Sequence, residues 1–260
     1  MPVYNDYTAL RTNDIGDFGT TITYSILDDQ ADVGNFSYYS TSVSEFVDFA
    51  IGTKYINEIE QAVVTILAGD PSNQYSVTFA DVIDVTFTNT DTNNNDTFDS
   101  GENEGEIIFG QVDSNYTYFS SNNAGSAITG NGDGNAGNVS DTQGDIWINA
   151  EHASSTWTNK NIWKDGGSGA YEAGGSGYFV LLHELGHALG LTGDGVITGE
   201  PVDNQQYTIM SYIPLGGTAS NSGPMIDSNS IQNSAIPKGL QMFDILTLQE
   251  HKDSSGNYVH

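Results

Sequence analysis

One stretch constrains this chain more than any other: the apolar run YFVLLHELGHALGL at residues 178–191, interrupted by His183, Glu184, Gly186 and His187. Leu181, Leu182, Leu185, Ala188 and Leu189 recur at helical spacing, which predicts a helix over residues 177–191 with a buried apolar face. On such a helix His183 and His187 project from one side, a turn apart. Two imidazoles so placed can grip one zinc ion, and the glutamate between them can act as general base toward a metal-activated water. Accident is a poor explanation: with 5 His in 260 residues, chance supplies the pattern about 0.004 times per chain. The competing reading is a pair of core histidines satisfied by hydrogen bonds.

Composition narrows the function classes. Lys and Arg total 6 against 34 Asp and Glu, a formal charge of −28. Nucleic acid requires a basic footprint, and an anionic membrane surface attracts basic segments; neither partner is expected. No apolar run approaches the roughly 18 residues of a membrane span. The opening MPVYNDYTAL lacks a basic-then-apolar start, so no signal peptide is expected within these residues, which leaves export by a trimmed leader open. The chain has no cysteine, so no thiolate can hold a metal, and His, Asp, Glu, Tyr and backbone oxygens are the first ligands to consider.

The rest of the chain reads as one α/β domain, with a sheet-and-helix part over about residues 15–191 and a more irregular part over 192–260. TTITYSIL (20–27) alternates like a strand, and EIIFG, NYTYFSS and DIWINA are further strand candidates. Ile56, Ile59, Val63, Ile66 and Leu67 predict a helix over 53–68, ended by GDPSN. YSVTFADVIDVTFTNT is expected to form one or two strands, and GLQMFDILTLQEH (239–251) a last helix. The tryptophans Trp147, Trp157 and Trp163 are expected as core or loop anchors rather than substrate platforms.

A second metal candidate is DTNNNDTFDSGE, residues 91–102. Asp91, Asn93, Asn95, Asp99 and Glu102 fall where a calcium loop places oxygen ligands, with Thr97 offering its backbone carbonyl. Asp96 stands where such loops carry glycine. The alternative is an acidic hairpin loop without an ion. With calcium, the loop would staple the hairpin between DVTFTNT and EIIFG.

Beyond the HELGH core come Gly190, where a helix can stop and turn sharply, and YTIMSYI at 207–213. This combination resembles the metzincin metallopeptidases, and within them the serralysin group of secreted bacterial proteases. The resemblance spans roughly residues 15–252 and implies a twisted, mostly parallel five-stranded sheet with an antiparallel edge strand, an active-site helix, a Met-turn and a C-terminal helix. It implies that Met210 occupies the Met-turn and that Tyr212 ligates zinc or stabilises the oxyanion. It also implies a monomeric, secreted zinc endopeptidase whose polypeptide substrate lies along an edge strand, here residues 115–120 with Tyr116 and Tyr118. One departure bears on all of this. The family motif HExxHxxGxxH puts a third histidine where this chain has Gly193. Three readings stay open: Asp194 is the third ligand; Tyr212 or a water completes a two-histidine site; or strong zinc binding is lost and the chain is a catalytically silent binding module. Asp203, His152 and His251 are more distant ligand candidates.

Overall fold

The structure, a computed structural model, describes residues 21–26, 54–69, 77–83, 85–90, 105–112, 125–127, 144–149, 173, 175–191, 204–212 and 237–249. Among these residues five strands, β1 (Thr21–Ile26), β2 (Thr86–Asn89), β3 (Ile107–Val112), β4 (Gly125–Ala127) and β5 (Ile146–Asn149), form one sheet in the order β2-β1-β3-β5-β4. The pairs β1–β2, β1–β3 and β3–β5 are parallel, and β4 runs antiparallel to β5 at the edge. The hairpin expected between DVTFTNT and EIIFG is therefore not formed, because β1 lies between β2 and β3 and both run parallel to it. Among the described residues four helices accompany it: α1 (Lys54–Ala68), α2 (Phe79–Ile83), α3 (Ser176–Ala188) and α4 (Met242–Gln249). The class is α/β, as the alternation of periods in the sequence implies.

Parallel strands need cover on both faces, and the strand residues supply it. Ile22, Tyr24 and Ile26 of β1 alternate onto one face and join Ile107, Phe109 and Ile146 in the core with α1 and α3. Ser25, Ile108 and Trp147, on the opposite face by alternation, are buried as well. Trp147 is a core anchor, as expected: it stands in register with Gly110, and a Cβ on Gly110 would collide with its indole. From α1, Ala62, Val63, Ile66 and Leu67 enter the core at the expected helical spacing. Each of the larger three contributes about 1.5–3 kcal/mol of apolar burial.

YSVTFADVIDVTFTNT does not form strands throughout. Phe79–Ile83 form the short helix α2, and among the segment's described residues only Thr86–Asn89 are a strand. The reason is local. Thr78 Oγ1 accepts the Asp81 N–H at 3.3 Å, while the Asp81 carboxylate accepts from the Thr78 N–H at 3.0 Å and hydroxyl at 2.8 Å. This reciprocal cap nucleates a turn that β-propensity alone does not anticipate. Helix α2 packs against α1 and α4, and α3 packs against α1, β4 and β5. The histidine helix is thus held beside the antiparallel edge of the sheet.

Candidate functional site

Helix α3 carries the HELGH residues from within the core. Tyr178, Phe179, Val180, Leu181, Leu182 and Leu185 are almost wholly buried, which fixes the helix against rotation. The Tyr178 hydroxyl donates to the Lys238 carbonyl at 3.0 Å, and burial pushes its pKa up to about 12, so it stays a donor. His183 and Glu184 are buried, and His187 is half-buried, so the pair opens outward at its C-terminal member. The two imidazole centroids lie 4.7 Å apart with planes at 89°.

Backbone carbonyls set the state of both rings. His183 Nδ1 is 2.8 Å from the Ile209 carbonyl oxygen, and His187 Nδ1 is 2.9 Å from that of Leu191. A carbonyl only accepts, so each Nδ1 bears the proton and donates it; a neutral ring then keeps its lone pair on Nε2. This is the tautomer and the outer hydrogen bond that metal-binding histidines use.

The chain reaches Leu191 through a helix stop. Gly190 adopts φ +93°, a left-handed conformation that side chains disfavour. Its N–H donates to the His187 carbonyl at 2.9 Å, and the Leu191 N–H to the Gly186 carbonyl at 2.7 Å. These two bonds form a Schellman stop, and they swing the Leu191 carbonyl back to the His187 ring.

Residues 204–212 supply the second wall. Asn204 opens this turn: its carbonyl accepts the Tyr207 N–H at 2.9 Å and its side chain the Gln206 N–H at 2.9 Å. Ile209 and Met210 are fully buried, and a Cβ on Gly186 would stand 2.9 Å from Met210 Sδ and 3.2 Å from Ile209 Cδ1. The glycine inside HELGH therefore makes room for the methionine beneath the helix. Tyr212 stacks on the His183 ring, centroids 5.6 Å apart and planes at 29°.

Sequence reasoning missed Asp244. It lies in the first turn of α4 and is fully buried. Its Oδ1 accepts the Thr208 hydroxyl at 2.6 Å, and its Oδ2 accepts the Ile209 N–H at 3.0 Å and the Gln241 N–H at 2.8 Å. Burial pushes its pKa up to about 6, with those hydrogen bonds and the nearby His183 pulling the other way. The one signal in the sequence is an acidic residue in a helix's first turn, common enough to pass unnoticed.

The structure thus brings together His183, Glu184, His187, Met210 and Tyr212. Asp194, Asp203, His152 and His251 lie outside the described residues, as do the whole calcium candidate, Asp91, Asn93, Asn95, Thr97, Asp99 and Glu102, and the expected substrate strand with Tyr116 and Tyr118. Among the described residues, no group of three or more His, Cys, Asp or Glu side chains is arranged to hold a metal, and the antiparallel edge is β4. No helix among them is long and apolar enough to cross a membrane. Compared with known proteins, the chain matches no family model and no curated protein.

Proposed function

We propose that this chain is the catalytic domain of a secreted, monomeric zinc endopeptidase of the serralysin type. The observation that carries this reading is the pair of imidazoles one helical turn apart, each with Nδ1–H tied to a backbone carbonyl, with Glu184 between them. This donor set fits zinc, which takes neutral imidazole nitrogens and favours ligands held by outer hydrogen bonds. His183 and His187 would hold the ion, and Asp194, Tyr212 or a water would supply the next position. When bound, zinc lowers the pKa of a water and polarises the scissile carbonyl.

The remaining chemistry belongs to the chain. Glu184 takes the proton of the attacking water and passes it to the leaving amine, a transfer favoured by its shielded position on α3. Tyr212, stacked beside His183, offers its hydroxyl to the developing oxyanion. An extended polypeptide suits the sheet edge, where main-chain hydrogen bonds supply affinity. Strand β4 is that edge among the described residues and packs against α3; residues 115–120 are the other candidate. Residues 91–102 would bind calcium in the connection between β2 and β3, which are not hairpin partners, and calcium should raise the melting temperature less after Asp91→Ala than in the wild type.

Cleavage of casein tests the reading. The wild-type protein should cleave it, a chelator should stop the reaction, and Glu184→Ala should retain zinc while losing at least about a hundredfold in rate. Gly193, standing where the family has histidine, favours one second reading, a silent binding module. Folded protein that takes up zinc weakly and leaves casein intact supports that module and sinks the peptidase.

A further inference from the structure

The peptide unit joining Ile209 to Met210 is engaged at both ends. Its carbonyl accepts the Nδ1–H of His183 at 2.8 Å. Its N–H, that of Met210, donates to Thr208 Oγ1 at 3.0 Å. The Thr208 hydroxyl then donates to Asp244 Oδ1 at 2.6 Å. These bonds form one continuous chain, imidazole to peptide to hydroxyl to carboxylate, with every donor pointing toward Asp244. We propose that Asp244 is a positioning residue for His183: through Thr208 and the 209–210 peptide it aligns and polarises the carbonyl that holds Nδ1–H, and so fixes the ring with Nε2 as the donor atom.

Two physical effects act together. Hydrogen bonds aligned in series strengthen one another, by roughly 10–30% per bond in condensed-phase estimates. A negative terminus draws each proton along the chain, making the Ile209 carbonyl a stronger acceptor and His183 Nε2 a stronger metal donor. Position follows from the other carboxylate oxygen. Oδ2 accepts the N–H of Gln241, just before α4, and the N–H of Ile209, so the carboxylate spans the helix start and the turn. It occupies the helix N-terminus, where the helix dipole favours a negative charge. His187 is an internal reference: its Nδ1–H goes to Leu191, at the end of its own helix.

The consequence for metal affinity rests on the zinc reading above, whereas the hydrogen-bond chain does not. Thr208→Val cuts the chain at the hydroxyl and leaves both backbone bonds to Asp244 possible. Thr208→Ser restores the hydroxyl. Asp244→Asn removes the charge and keeps one carbonyl oxygen for the backbone donors. Imidazole tautomers and Nδ1–H shifts are read by proton–nitrogen NMR on the metal-free full chain at pH 8, and zinc affinity by chelator competition.

For His183, wild type and T208S should share a downfield Nδ1–H and a single tautomer. In T208V and D244N that proton should move upfield or the tautomers mix, with His187 unchanged. Zinc affinity should fall about 10- to 100-fold in T208V and D244N, with T208S near wild type. The proposal is overturned if T208V and D244N leave the His183 signals as in wild type, or if His183 and His187 shift together, the mark of general loosening. Should T208V not fold, D244N against T208S decides by the same signals. A wild-type protein that binds no zinc contradicts the zinc reading, and the NMR comparison then decides the hydrogen-bond chain alone.

Discussion

Gly186 is where the histidine helix and the methionine turn meet, because a Cβ there would press on Met210 Sδ at 2.9 Å and Ile209 Cδ1 at 3.2 Å. Alanine at a helix interior normally gains about 1 kcal/mol over glycine, whereas overpacking a closed core costs about 1–3 kcal/mol. Crowding should prevail. Gly186→Ala is expected to lower stability in urea unfolding, and the loss should shrink to near zero in a Met210→Ala background, where the space is open. An equal loss in both backgrounds would mean that the methionine is not what the glycine accommodates. Asp244 makes a separate prediction through pH. Burial raises its folded pKa to about 6 from an ordinary 3.8. A raised folded value contributes stability that is fully present below about pH 3.8 and is lost as pH rises through about 6. The stability of wild type relative to Asp244→Asn should therefore decrease from pH 4 to pH 7, read as the difference between their urea midpoints; a rising difference would contradict the burial. The placement of His183, Glu184 and His187 on one helix was legible because all three fall within five consecutive positions. Asp244 was not, because its partners Thr208 and Ile209 stand 36 and 35 residues away and no local pattern joins them.

Helix α3 ends at Ala188, three residues short of the expected 191, with Gly190 in the turn that stops it, and the stop has a consequence for the site. Gly190 at φ +93° lets the Leu191 carbonyl return to His187. A side chain in that conformation costs about 1–2 kcal/mol, so Gly190→Ala should lose about that much in urea unfolding. Gly190→Asn should lose less, since asparagine tolerates the left-handed region; equal losses would point to crowding instead of backbone strain. The periodic elements α1 and α3 were readable because their buried faces repeat with the helix. Strand β1 was readable from its alternation, and β3 and β5 as short strand-favouring runs between turn residues. Helix α2 was misread as strand. Its residues favour strands by type, and what overrides them is the reciprocal bond between Thr78 and Asp81, visible in the sequence only as a threonine and an aspartate three apart. Register was not readable at all: that Gly110 pairs with Trp147 depends on the strand order, which no segment states by itself.

Across the whole molecule, the charge of −28 sets the background against which the site works. Such an excess repels itself, and salt screens it within about 10 Å at 0.1 M. Raising sodium chloride from about 0.01 to 0.3 M should therefore raise the melting temperature; a falling midpoint would mean that attractive pairs dominate. Cysteine-free, the chain has no thiolate to offer a metal, and the described residues offer two imidazoles in the tautomer that leaves Nε2 as donor. That pair is the centre of the account, and the zinc content of the purified protein after equilibration with zinc and dialysis tests it most directly. One zinc per chain in the wild type, and none after His187→Ala, is the result expected. Folded wild-type protein that emerges from dialysis with no more zinc than the His187→Ala variant would contradict it.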